Sequence, residues 1–173
     1  MLSDGLRRFM EGSGIALTLA DAQAEDFPLV LANQAFLDLS GYDRDEVIGK
    51  NCRFLQPKEG GGPATQRIRD FLVDPAKREE RVLLPNERKD GTPFLNLLYL
   101  TRMTQLGKDA YILGSQFDFS RHDRMRPDSY DRALREDIRE LSALTGEMGI
   151  VTLGTFRSLA SSAAIIAEAR LGE

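Results

Sequence analysis

Tryptophan is absent from the 173 residues, and cysteine and histidine occur once each. A lone cysteine excludes an intramolecular disulfide and any multi-cysteine zinc or iron–sulfur site, and it suits a reducing compartment. A single histidine leaves no histidine-rich metal site, so no metal is expected. Basic excess is also missing: 23 Lys+Arg stand against 27 Asp+Glu, a net charge of -4. That balance argues against electrostatically driven binding to nucleic acid or to anionic membrane. No uncharged apolar run approaches the roughly 18 residues of a membrane span. Residues 1–8 lack the apolar centre of a signal peptide, so the expected address is the cytoplasm. What is present, 42% hydrophobic and 29% charged residues, suffices for one domain with a real core and an appendage.

The pattern along the chain divides it into three. Residues 1–14 read as an N-terminal cap helix, with Ser3 or Asp4 as cap and Leu2, Leu6, Phe9 and Met10 on one stripe. Strands are expected over 15–20 and 29–31, around a polar loop at 21–26. Short helical pieces follow from Asn33 to Phe71, with Asp43 and Glu46 at capping-box spacing and a longer helix over 64–73. Residues 81–87, 92–103 and 110–119 read as a three-strand meander. The result is an α+β domain over 15–120, a five-stranded antiparallel sheet with helices on one face. Residues 121–173 read as a C-terminal extension of two helices. The first carries Tyr130, Leu134, Ile138, Leu141 and Leu144; the second, about 152–171, carries a small-residue face from Leu153 to Ala167.

The chemistry concentrates in Gly49-Lys50-Asn51-Cys52-Arg53-Phe54-Leu55-Gln56. On a helical turn Cys52 and Gln56 are i and i+4 and share a face, so one turn offers a thiol, two amides and a guanidinium. Taken alone, a single cysteine among apolar neighbours is more often a buried small hydrophobe than a nucleophile. Asn86 and Asn96 form a second pair: a hairpin centred on Gly91 sets them directly opposite each other on one sheet face. By alternation Leu98 and Leu100 join Asn96, and Ile112 and Gly114 join Gln116.

The hexapeptide Asn51 to Gln56 resembles the signature of the LOV (light-oxygen-voltage) photoreceptors, the flavin-binding branch of the PAS superfamily, and of its bacterial short members without a fused effector. Asn33-Gln34-Ala35-Phe36, Gly41-Tyr42, Gln66-Arg67-Ile68-Arg69 and the segment 111–116 are similar to other family positions. The resemblance covers about residues 15–120. It implies a PAS/LOV fold and a blue-light photoreceptor in which the Cys52 sulfur forms a reversible adduct with flavin carbon 4a. It also implies that Asn86, Asn96 and Gln116 contact the ring, that Asn51 and Gln56 lie beside it, and that Arg53 and Arg69 bind the phosphate. FMN is favoured over FAD, since the spacing from Cys52 to Arg69 has no insertion to admit a dinucleotide. The family's first-strand threonine aligns with Ala20, while Thr18 keeps the same strand face. A pocket phenylalanine of plant members aligns with Leu98.

His122 falls after the last strand, which disfavours a Cys–His hydrolase or a histidine-ligated haem. After residue 120 there is no glycine-rich nucleotide loop and no basic recognition helix, so the chain is not expected to be an enzyme. The helical extensions are the expected output, through a homodimer and an unidentified signalling protein in trans. Two alternatives share these residues: a flavin-based redox sensor, or a helical interaction module without a light role.

Overall fold

The computed structural model describes residues 4–60, 62–105, 107–118 and 150–152, the last three by their backbone. Helix α1 (Asp4–Gly12) precedes strands β1 (Ala16–Asp21) and β2 (Leu29–Ala32). Helices α2 (Gln34–Ser40) and α3 (Arg44–Val47), a 3₁₀ turn (Cys52–Leu55) and α4 (Gly62–Val73) follow. Strands β3 (Glu79–Glu87), β4 (Pro93–Gln105) and β5 (Lys108–Asp118) come next, with β6 (Ile150–Thr152) last. The sheet is antiparallel in the order β2-β1-β5-β4-β3, as expected for the α+β class.

Alternation sorts the strands into two faces. Leu17 and Leu19 of β1, Leu97, Tyr99 and Met103 of β4 and Leu113 of β5 pack with Leu6, Phe9 and Met10 of α1. Ala16 and Ala20 of β1 and Ile112 of β5 turn the other way, toward Phe36, Val47, Leu55 and Phe71 of the helical layer. The cap helix therefore covers the face opposite α2 to α4. The expected apolar stripe is buried at Leu6, Phe9 and Met10, while Leu2 and the cap candidate Ser3 lie outside the described residues.

Two buried polar side chains lock the layers. Asn33, fully buried, caps α2 by accepting from the Phe36 amide at 3.0 Å and also accepts from the Leu17 amide at 2.9 Å. Its Nδ2 lies 3.0 Å from the Met10 carbonyl and 2.7 Å from that of Ile15. One amide thus ties the end of α1, the start of β1 and the start of α2 together. Arg102 of β4 donates to the carbonyls of Phe71 and Leu72 at 2.7 and 2.9 Å, and its guanidinium stacks over the Phe71 ring. A cation at the C-terminal end of α4 satisfies carbonyls the helix leaves open.

The capping box at Asp43 and Glu46 forms as expected, and Gly41, left-handed at φ 76, closes α2 by donating to Leu37. Three expectations are corrected. The segment at Cys52 is a 3₁₀ turn with Gln56 as its C-cap, so Cys52 and Gln56 are not successive members of an α-helical face. The β3–β4 hairpin pairs Leu84 with Asn96 and Asn86 with Phe94, so the two asparagines are diagonal neighbours. The reason is its loop: Arg88 N donates to Thr92 O and Gly91 N to Arg88 O, giving a three-residue connection in which Gly91 is left-handed at φ 84. Finally, Thr152 lies in a strand where a helix start was expected. Met103–Gln105 of β4 extend past the start of β3, and β6 fills that free edge. The other expectations for 119–149 and 153–173, including both helical stripes and His122, lie outside the described residues.

Candidate ligand pocket

A cavity of about 670 Å³, its opening to solvent included, lies between the sheet and the helical layer. The sheet wall consists of Thr18 and Ala20 from β1, Leu84 and Asn86 from β3, Asn96, Leu98 and Leu100 from β4, and Ile112, Gly114 and Gln116 from β5. Opposite stand Asn51, Cys52, Arg53, Leu55 and Gln56 around the 3₁₀ turn, and Ile68 and Leu72 one turn apart on α4. Phe27 and Leu29 complete the lining. The strand alternation read from sequence puts every expected sheet residue on this wall. Among the expected site residues Arg69 is the exception: it is exposed on α4 beside Ile68 and does not line the cavity.

Cys52 sits at the first position of the 3₁₀ turn, whose N-terminus is capped by Asn51 accepting from the Arg53 amide at 3.0 Å. Burial pushes its thiol up to about 12, because a thiolate loses hydration there without a compensating cation. At neutral pH it is therefore a thiol, not a ground-state nucleophile of the hydrolase kind.

The amides carry the polarity of the sheet wall. Asn96 Nδ2 donates to Asn86 Oδ1 at 2.8 Å, and Asn86 Nδ2 donates to the Pro85 carbonyl at 3.0 Å. Gln116 Nε2 donates to Thr18 Oγ1 at 3.2 Å. Two buried acceptors, Asn96 Oδ1 and Gln116 Oε1, have no hydrogen-bond partner among the described residues. Such an orphan costs about 1–3 kcal/mol, so two of them in one apolar cavity mark places for a ligand's donors. Gly114 supplies flatness: a Cβ there would come within 2.6 Å of Thr18 Oγ1. A planar heteroaromatic ring with an amide-like edge fits this wall. The described residues contain no cluster of three His, Cys, Asp or Glu able to hold a metal.

At the mouth, Arg53 forms an ion pair with Asp26, and Asn51 Nδ2 donates to the Asp26 carbonyl at 2.6 Å. Asp26 and Phe27 both have positive φ, 66 and 49. The sequence offered alternation as a route to Leu84, on the face of Asn86, and i, i+4 spacing as a route to Ile68 and Leu72. Nothing in the pattern announces Asp26 or Phe27, whose placement depends on a left-handed backbone that non-glycine residues seldom adopt.

Residues 14–121 match the PAS domain family. The chain is 38% identical over 123 residues to blue-light-activated histidine kinase 1 of Erythrobacter litoralis, covering 68% of this chain and 33% of that one. It therefore spans only a third of that relative's length. Its structure is similar to the Rhodobacter sphaeroides LOV protein, with a TM-score of 0.76 and 32% identity over 98% of this chain and 96% of that chain. It is also similar to the light-state dimer of the fungal blue-light photoreceptor Vivid, with a TM-score of 0.55 and 32% identity over 61% of this chain and 78% of that chain.

Proposed function

We propose, from the premise that the chain belongs to the PAS domain family and within it to the LOV proteins, that it is a blue-light photoreceptor whose pocket binds a flavin, FMN in preference to FAD. The observation that carries this reading is the meeting of the sole thiol with two unpartnered amide oxygens across one apolar cavity. When bound, a flavin would supply absorption of blue light and an excited ring open to reversible addition of the Cys52 sulfur at carbon 4a.

The protein's own groups do the rest. Asn96 Oδ1, unpartnered among the described residues, would accept the N–H of the pyrimidine edge, and Asn86 would help to orient that edge. Asn51 and Gln56 would contact the flavin from the turn that carries Cys52, and Arg53 would hold the phosphate, with Arg69 as a second cation from α4. Leu98 and Leu100 exclude water from the ring. Cys52 keeps its proton on Sγ in the dark, since burial disfavours the thiolate, and would supply both the sulfur and the proton for addition to a bound flavin. Gln116 then rotates, presenting oxygen where it presented nitrogen, or the reverse. Thr18 can serve either arrangement, because a hydroxyl both accepts and donates.

The output runs through β5, which carries Gln116 and ends at Asp118, to the terminal segments and a change in homodimer association read by a signalling partner in trans. The light-state dimer of Vivid is a precedent for the family. No helix of the described residues is long and apolar enough to cross a membrane, and an enzymatic role is not part of this reading. The test is absorbance of the purified full chain before and after blue light. A structured blue band that bleaches and recovers in the dark is expected, with bleaching lost in Cys52→Ala. A colourless chain would overturn the flavin reading; bleaching that persists without the thiol would overturn the adduct.

A further inference from the structure

Asp26 has no part in the mechanism above, yet it occupies the cation that the mechanism needs. Its carboxylate takes both terminal nitrogens of Arg53: Nη1 donates to Oδ2 at 2.6 Å, and Nη2 pairs with Oδ1. Arg53 is the only guanidinium among the described residues that lines the cavity. The turn that presents Asp26 is itself constrained. Two consecutive non-glycine residues, Asp26 and Phe27, hold positive φ, and Asn51 fastens the Asp26 carbonyl at 2.6 Å. Backbone of this kind persists only where its surroundings fix it. The carboxylate is thus held at the mouth of the pocket, against the same turn that carries Cys52.

Resting on the flavin reading, we propose that Asp26 is a specificity-determining residue that competes with the flavin phosphate for Arg53 and so narrows the preference for FMN over unphosphorylated riboflavin. A phosphate approaching Arg53 meets a guanidinium whose two terminal nitrogens are already taken by Asp26. Riboflavin, identical in its ring and ribityl chain, meets no such penalty. Both side chains are more than half exposed, 57% and 54%, so water and salt weaken the competition and its effect is modest.

The experiment titrates the full chain, stripped of flavin, with FMN and with riboflavin, reading fluorescence quenching. Asp26→Asn removes the charge, keeps the shape and tolerates the left-handed backbone. Asp26→Gly reaches the same end by a second route and relieves that backbone. In both variants the ratio of riboflavin Kd to FMN Kd should rise about threefold, and the rise should vanish in an Arg53→Ala background. An unchanged or smaller ratio would overturn the proposal, as would a full rise without Arg53, which would mean direct repulsion. If the parent chain bound neither flavin, the flavin reading and this proposal would fall together; binding of both with a flat ratio would remove this proposal alone.

Discussion

The two faces of the sheet are made from the same strands and do opposite things. On the face under α1, β1 and β4 place Leu17, Leu19, Leu97, Tyr99 and Met103, and the cap helix fills the remaining space with Leu6, Phe9 and Met10. One residue along each strand, the other face carries Thr18, Ala20, Asn96, Gly114 and Gln116, and a cavity remains. Large apolar side chains close one face into a core; small and amide side chains leave the other open as a receptor. The difference lies in side-chain volume and in unspent hydrogen bonds, not in backbone. Apart from the Ser115 hydroxyl, the orphaned buried acceptors on these strands, Asn96 Oδ1 and Gln116 Oε1, belong to the pocket face.

The largest way to break this contrast is to open the closed face. Leu19 is fully buried beneath α1, and Leu19→Ala should cost about 2–5 kcal/mol of stability. Denaturant unfolding measures that loss, while the fraction that stays folded should bind flavin with unchanged affinity. The converse is to fill the open face. In Gly114→Ala the new methyl meets Thr18 Oγ1, and overpacking of about 1–3 kcal/mol should appear as flavin binding weakened on the order of tenfold or more. Equal damage to both properties in both variants would show that the faces are not separable.

Much of this division was legible in advance. Period-two alternation set Leu98 and Leu100 on the face of Asn96, and Ile112 and Gly114 on the face of Gln116, while the family resemblance of Asn96 and Gln116 identified that face as the pocket wall. The register of the asparagines was read two positions out in sum, since a glycine at a hairpin suggests its centre, whereas Gly91 takes the left-handed place at the end of a three-residue loop. Arg102 was invisible for a different reason. A buried arginine in a strand contradicts composition rules, and only the open carbonyls of α4, 30 or so residues away in sequence, explain it. The edge strand at Ile150 was equally hidden, because its partner is the overhang of β4 beyond β3.

Removing an orphan sharpens the comparison from the other direction. Gln116→Leu eliminates an unpartnered acceptor while Thr18 Oγ1 retains the Gly114 carbonyl at 3.5 Å. The flavin-free chain should therefore gain about 1 kcal/mol even as the light response of the terminal segments is lost. A destabilised flavin-free chain would contradict the idea that the pocket face holds unspent hydrogen bonds. The thiol offers a related test by pH. Its ordinary value of 9.0 is raised to about 12 in the folded chain, so between those values the unfolded state sheds a proton that the folded state keeps. Stability attributable to Cys52 is intact below pH 9 and declines as pH rises toward 12. Unfolding measured across that window should show a steeper decline in the parent than in Cys52→Ala; parallel curves would mean the thiol is not buried.

The smallest expected effect tests the join between the two faces' chemistry, the Thr18 hydroxyl. Thr18 is 4% exposed on the pocket side of β1 and holds Gln116 Nε2 at 3.2 Å. Thr18→Val keeps the volume and the β-branch but removes both the acceptor that Nε2 uses and the donor that Oε1 would use after rotation. One hydrogen bond is worth about 0.5–1.5 kcal/mol net, which corresponds to roughly two- to tenfold in the rate of dark return. Thr18→Ser retains the hydroxyl and should stay within about twofold. Recovery of the blue absorbance after a light pulse measures the rate, and the infrared difference spectrum of the glutamine amide reports whether Gln116 itself has changed partners. If Val and Ser shifted the rate equally with the amide signal unmoved, packing and not the hydroxyl would be what this position contributes.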